Sequence, residues 1–169
     1  IPSDIDRRTL LGGVVAVTAA TSISASSVAQ SATLNLKGKS VLITGSSSGF
    51  GYDGALHYAR AGAKVIASMR NLPRAEADTL KAAAAKEKLD ISIIEIDVTS
   101  DEQVTKGVAE AERLAGGALD VLINNAGVGY AGPIELQDME ATKLIFDTNV
   151  YGPHRMARAV LPAMRKAKR

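Results

Sequence analysis

Ser40-Val41-Leu42-Ile43-Thr44-Gly45-Ser46-Ser47-Ser48-Gly49-Phe50-Gly51 runs from an apolar, β-branched segment straight into a glycine-rich turn. A helical pattern opens at once, with Tyr52, Ala55, Leu56 and Ala59 on one apolar face. The order is strand, tight loop, helix N-terminus. Gly45 lets the chain turn without a Cβ clash, Gly49 admits close approach of an anion, and Gly51 lets the helix pack on the sheet. Unpaired N–H groups and the positive helix end then favour a pyrophosphate.

The spacing sets the kind of loop. G-x-G-x-x-G fails because Ser47 stands where its second glycine belongs, and a Walker A loop fails because Phe50 and Gly51 replace its Gly-Lys pair. What remains is T-G-x-x-x-G-x-G over Thr44–Gly51.

Downstream the chain alternates. The first helix is expected over Phe50–Ala61, with Gly62 at C′, and the second strand over Lys64–Met69. Pro73 fits the first turn of a second helix reaching Lys88. A third strand covers Ile91–Ile96, and Ser100-Asp101-Glu102-Gln103 reads as a capping box for a third helix that stops at Gly116-Gly117. The fourth strand is Leu119–Ile123. Asp138–Arg169 is mostly helical, interrupted at Asn149, Gly152 and Pro153. Repeated βα units predict an α/β fold, a Rossmann-type doubly wound parallel sheet with strand order beginning 3-2-1-4. Loop ends then gather at the carboxyl edge: Thr44–Gly51, Arg70, Asp97 and Asn124–Gly127.

Two positions bear on the ligand. A carboxylate about 20 residues after the glycines binds the ribose hydroxyls of NAD. Here Ala67, Ser68 and Met69 bring no acid and Arg70 follows, a guanidinium suited to a 2′-phosphate. Asp97-Val98-Thr99 ends the third strand, where Asp97 either accepts the adenine amino group or serves as a turn or cap residue.

Thr44–Gly51 resembles the cofactor loop of short-chain dehydrogenases/reductases in their basic, shorter form, since Ser48 takes the place of the middle glycine of the extended members. Asn124-Asn125-Ala126-Gly127 is similar to the family's second signature, and Thr148-Asn149-Val150 to a third landmark. The resemblance covers Leu36–Arg169. It implies a nicotinamide dinucleotide held by Thr44, Gly45, Ser46, Ser48, Gly49, Phe50, Gly51, Arg70, Asp97, Val98, Asn124, Ala126 and Gly127, with NADP(H) favoured over NAD(H) through Arg70. Asn149 matches the active-site asparagine that helps position water near a catalytic lysine. The implied reaction is hydride transfer between NADP(H) and a small alcohol or carbonyl compound, by a protein that forms homo-oligomers. Hydroxysteroid- and retinol-type members resemble Pro133–Met164 too loosely to name a substrate; Gly129, Tyr130, Ala131 and Gly132 border the expected substrate side.

The family's chemistry also needs a serine and a Tyr-x-x-x-Lys pair, the lysine lowering the tyrosine pKa for proton exchange. Tyr52, Tyr58, Tyr130 and Tyr151 are followed four places on by Leu56, Gly62, Ile134 and Arg155. The serine, tyrosine and lysine are therefore expected beyond Arg169, and the chain is read as an incomplete family member, inactive alone. The alternative is a nucleotide-binding fragment or degenerate copy without redox activity.

Composition limits the rest. The 169 residues suit one domain, and 46% apolar content suffices for a core. A net charge of +2 argues against nucleic-acid binding. With no cysteine, disulfides and thiolate metal sites are excluded, and His57 and His154 have no ligand spacing. Residues 1–32 read as a separate segment before a domain at 34–169. Arg7-Arg8, the apolar run Leu11–Ala20 and the small residues Ser27-Val28-Ala29 resemble a twin-arginine export signal, the alternative being a disordered tail of a cytoplasmic protein. The apolar run is too short for a stable membrane span of about 20 residues.

Overall fold

The computed structural model describes residues 34–169; the twin-arginine-like stretch lies outside them. Four parallel strands form one sheet in the order β3-β2-β1-β4. They are β1 (Ser40–Thr44), β2 (Lys64–Met69), β3 (Ile91–Glu95) and β4 (Val121–Ile123). The register sets Thr44 beside Ser68, Met69 beside Glu95 and Ile43 beside Ile123. The carboxyl ends of all four strands thus fall on one edge, as the sequence predicts.

The strands alternate between two cores. Val41, Ile43, Val65, Ala67 and Met69 pack under α1 (Gly49–Arg60) and α2 (Ala75–Glu87). Leu42, Ile66 and Ile94 pack on the other face against α3 (Asp101–Ala115) and against Met156 and Val160 of α5 (Gly152–Lys166). With both faces covered, β1 and β2 need continuous apolar runs instead of apolar-polar alternation. Buried positions 104, 107, 108 and 111 of α3 have helical spacing and define its inner stripe.

Four local expectations need correction. The second helix starts at Ala75 with extended Arg74 as N-cap, so Pro73 lies in the preceding loop. The fourth strand is only Val121–Ile123, although Leu119 is fully buried ahead of it. The capping box is half formed: the Ser100 hydroxyl accepts from Gln103 N at 3.3 Å, but Gln103 Oε1 accepts from Asp97 N at 2.9 Å. Finally, α4 (Met139–Phe146) runs into α5 without a break, through one π-helical turn at Asp147–Tyr151. Pro153 has no N–H for the Asn149 carbonyl, and a widened turn absorbs that mismatch where a break was expected.

No helix among the described residues is long and apolar enough to cross a membrane.

Candidate functional site

A cavity of about 330 Å³ opens at the carboxyl edge of the sheet, between the β1–α1 loop, the ends of β2 and β3, and the turn after β4. Its wall includes Gly45, Ser47 and Ser48 from the first loop, Arg70 and Arg74 after β2, Asp97 and Val98 after β3, Asn125–Val128 after β4, and Thr148. Concave sites for small ligands are about 300–1,000 Å³.

Of the residues singled out in the sequence, Gly45, Ser48, Arg70, Asp97, Val98, Ala126 and Gly127 line this cavity. Thr44 and Ser46 support it from behind. Thr44 is 1% exposed, and its hydroxyl accepts from the N–H groups of Asn125 and Ala126 at 3.1 and 3.0 Å. The fully buried Ser46 hydroxyl donates to the Ile43 carbonyl at 3.1 Å, while Ser46 N donates to Ser68 O at 3.0 Å. Each hydroxyl is committed to backbone groups that hold the loop on the sheet. Asn124 is exposed and outside the wall. Its neighbour Asn125 provides the brace, with Nδ2 donating to Thr44 O at 2.8 Å and Gly45 O at 3.1 Å.

The glycines divide the work. Gly45 has φ +70° and a Cβ there would sit 2.7 Å from Ala126 Cα, so this turn admits no side chain. A Cβ on Gly51 would collide with the Gly45 carbonyl and the Asn125 amide, which fixes how closely α1 approaches the β4 turn. Gly49, at φ +54°, faces open space at the start of α1. Phe50 is 89% exposed and is not part of the cavity wall.

The polar groups on the wall have distinct surroundings. Arg70 is exposed, and among the described residues its side chain makes no ion pair or hydrogen bond. Arg74, not singled out in the sequence, donates through Nε and Nη2 to Glu76 at 2.9 Å each and through Nη1 to Arg70 O at 3.3 Å. The Arg74 hydrogen bonds, with a lesser backbone contribution, hold the Glu76 carboxyl at about 2. Asp97 Oδ1 accepts from Thr99 N at 2.9 Å and Thr99 Oγ1 at 2.7 Å, so the turn role left open in the sequence is filled by that oxygen. Thr148 is 5% exposed and its hydroxyl has no partner among the described residues. A repeated basic residue across Pro73 was the available signal for Arg74; nothing in the sequence marked Thr148 beyond its place in the third landmark.

Asn149 lies in the π turn just outside the wall. Its Oδ1 accepts from Val128 N at 2.9 Å and its Nδ2 donates to Val128 O at 2.7 Å, a two-way clasp between the helix and the β4 turn. Tyr151 is 55% exposed, and Arg155 four residues on is committed elsewhere, to Asp147 Oδ1 at 2.7 Å, Asp101 Oδ1 at 2.9 Å and Val98 O at 3.3 Å. These contacts raise the Arg155 pKa, first through Asp147. An arginine so paired keeps its proton, so Tyr151–Arg155 is no substitute for Tyr-x-x-x-Lys. Tyr130, Ala131 and Gly132 do not join the main cavity; they line a neighbouring one of about 350 Å³ with Pro133, Leu136 and Asp138.

This arrangement, a glycine loop braced from β4 with a basic end to β2, coincides with a family match: residues 39–169 fit the model described as short chain dehydrogenase. The chain belongs to the short chain dehydrogenase family. Among its relatives is retinol dehydrogenase 8 of Bos taurus, 39% identical over 134 residues, covering 77% of this chain and 41% of that protein. Among solved structures, a gluconate 5-dehydrogenase from Burkholderia cenocepacia in complex with NADP and tartrate is 30% identical with TM-score 0.71, over 80% of this chain and 52% of that one. A metagenomic short-chain oxidoreductase in complex with NADP is 26% identical with TM-score 0.72, over 79% and 60%. This short chain dehydrogenase sequence therefore spans about two-fifths of the bovine relative's length. The family is one of oxidoreductases acting on CH–OH groups.

Proposed function

We propose that this chain forms the cofactor-binding part of an oxidoreductase that moves hydride between NADP(H) and a small alcohol or carbonyl compound. The observation that carries the reading is the exposed Arg70 guanidinium, without a partner among the described residues, on the cavity wall at the end of β2, where an NAD reader would present a carboxylate. The cavity fits such a group: Gly49 leaves room at the start of α1, Arg70 offers an anion partner, and the buried Thr148 hydroxyl has no partner among the described residues. The two neighbours in complex with NADP support a nucleotide ligand.

In this reading the first N–H groups of α1 and the backbone at Ser48–Gly51 hold the pyrophosphate. Arg70 would hold the 2′-phosphate, a guanidinium being suited to a phosphate. Asp97 and Val98 border the adenine, while Ala126 and Gly127 leave space for close approach. Asn149 acts through Val128, keeping the β4 turn in place. When bound, the nicotinamide supplies or accepts hydride. Residues 1–169 contain no Tyr-x-x-x-Lys, so they hold the cofactor without moving the substrate proton, and we expect no turnover by them alone. The full protein is proposed to be homo-oligomeric and, by Arg7-Arg8, exported after folding.

The test is titration of the full-length protein with NADP+ and NAD+. Arg70→Ala is expected to weaken NADP+ by about 10–100-fold, the loss of a charged hydrogen bond, with little change for NAD+. Equal losses for both would overturn the reading of Arg70.

A further inference from the structure

Arg155, in the first turn of α5, reaches three separate parts of the chain. Its Nη1 donates to Asp147 Oδ1 at 2.7 Å and to the Val98 carbonyl at 3.3 Å, and its Nε donates to Asp101 Oδ1 at 2.9 Å. Asp147 opens the π turn, Val98 lies between β3 and α3, and Asp101 is the first residue of α3.

Two of these attachments bear on the cavity. Val98 is a wall residue, and a Cβ on Gly152 would sit 2.9 Å from its Cγ2, so α5 begins in direct contact with it. Among the described residues no backbone N–H donates to the Val98 carbonyl; its donor is Arg155 Nη1. The π turn is closed by Gly152 N donating to Asp147 O, and Arg155 holds the side chain of that same Asp147. Next along the turn, Thr148 lines the cavity and Asn149 clasps Val128, another wall residue. One guanidinium thus joins the stretch after β3 to the turn that reaches the stretch after β4.

The carboxylates it uses are open to solvent, Asp101 at 87% and Asp147 at 36% exposure. Ion pairs of this kind contribute little to fold stability. A planar fork does something else: it fixes the relative positions of its acceptors, which the point charge of a lysine on a flexible stem does not. π turns are rare and occur frequently at functional sites, and here the side chain holding the turn also holds the cavity wall.

We propose that Arg155 is a positioning residue for the nucleotide cavity: its fork locks the π turn to the β3–α3 loop and so sets where Val98, Thr148 and Val128 stand against a bound dinucleotide. The inference rests on the reading that this cavity holds such a ligand. Arg155 is not part of the wall and acts through these neighbours.

The experiment compares full-length wild type with Arg155→Gln, Arg155→Lys and, as a control, Arg113→Gln, which breaks an exposed pair with Glu110 on α3. Calorimetry gives the NADP+ affinity, amide exchange the local order, and urea the global stability. Both Arg155 variants are expected to bind NADP+ about tenfold more weakly. Exchange at Val128 N–H should quicken in them, while Leu42 and Ile66 in the sheet stay as in wild type. Saturating NADP+ should slow Val128 exchange again, because ligand favours the ordered wall. The urea midpoint should stay within about 0.5 M of wild type, and the lysine variant reads the same question should glutamine fold poorly. NADP+ affinity within about twofold of wild type in both Arg155 variants, or weaker binding without faster exchange at Val128, would overturn the proposal while the cofactor reading stands. Faster exchange at Leu42 and Ile66 with a lower urea midpoint would show that Arg155 acts through the whole fold, and an equal loss in Arg113→Gln would show a general charge effect; either overturns it. If wild type binds no dinucleotide, the cofactor reading fails and the proposal with it.

Discussion

Replacing Thr44 by valine should separate a structural brace from a ligand contact. The change keeps the side chain's shape but removes a hydroxyl that is 1% exposed and accepts from two backbone N–H groups, Asn125 at 3.1 Å and Ala126 at 3.0 Å. Its own donation to Ile123 O is long, at 3.4 Å, and adds little. Each orphaned buried donor costs about 1–3 kcal/mol. Both residues are only partly buried, so water recovers part of this and the low half of each range applies, about 2–4 kcal/mol in total. Thr44→Ser keeps the acceptor and deletes one methyl group, at about 1 kcal/mol. Urea unfolding gives the answer: at an m-value of about 2 kcal/mol/M, Thr44→Val should move the midpoint down by about 1–2 M. Amide exchange at Asn125 and Ala126 should quicken with it. A Thr44→Val variant within about 0.5 kcal/mol of wild type, or a Thr44→Ser variant equally damaged, would refute the brace.

Gly45→Ala and Gly49→Ala should behave differently although both glycines have positive φ. The second should lose only the left-handed backbone cost of about 1–2 kcal/mol; the first should lose clearly more in thermal unfolding, because its Cβ would also meet Ala126 at 2.7 Å. Acid sensitivity follows from carboxylates held below their ordinary range: Glu76 at about 2 by Arg74, Glu87 by Arg60, Glu102 by Lys106 and Glu110 by Arg113. Burial pushes Asp120 up, but the Ser40 N–H, Lys39 and the Ser40 hydroxyl outweigh it and hold it down. Folded pKa values below the unfolded ones give stability that is complete above about pH 5 and is lost as the pH falls toward 2; urea midpoints at stepped pH check this, and Asp120→Asn should flatten the slope. For export, Arg7→Lys with Arg8→Lys should leave the protein in the cytoplasm on fractionation, and unchanged distribution would count against the signal.

Backbone periodicity and turn chemistry made most of the fold legible. The apolar runs of β1 and β2, the αL position at Gly62 and the Ser100 cap each depend on a few neighbouring residues, and each was found close to where local physics puts it. The errors came where a residue's partner is distant. Whether Gln103 closes its own capping box or reaches to Asp97 N depends on where β3 ends beside α3, which no local rule contains. Whether Pro153 breaks the helix or is absorbed in a π turn is likewise settled by packing around Thr148, Gly152 and Met156.

The candidate site divides along the same line. By itself the sequence determined the glycine loop, the basic residue after β2 and the absence of Tyr-x-x-x-Lys within residues 1–169, because these are statements about residue type and spacing along the chain. Only the tertiary structure decided which groups are free to meet a ligand. Thr44 and Ser46, side by side with the glycines in sequence, spend their hydroxyls on backbone, whereas Arg70, Arg74 and Thr148 come together on one wall. A hydroxyl or guanidinium has a fixed number of hydrogen bonds to make, and which partners use them depends on contacts between parts of the chain some eighty residues apart, such as Thr44 with Asn125.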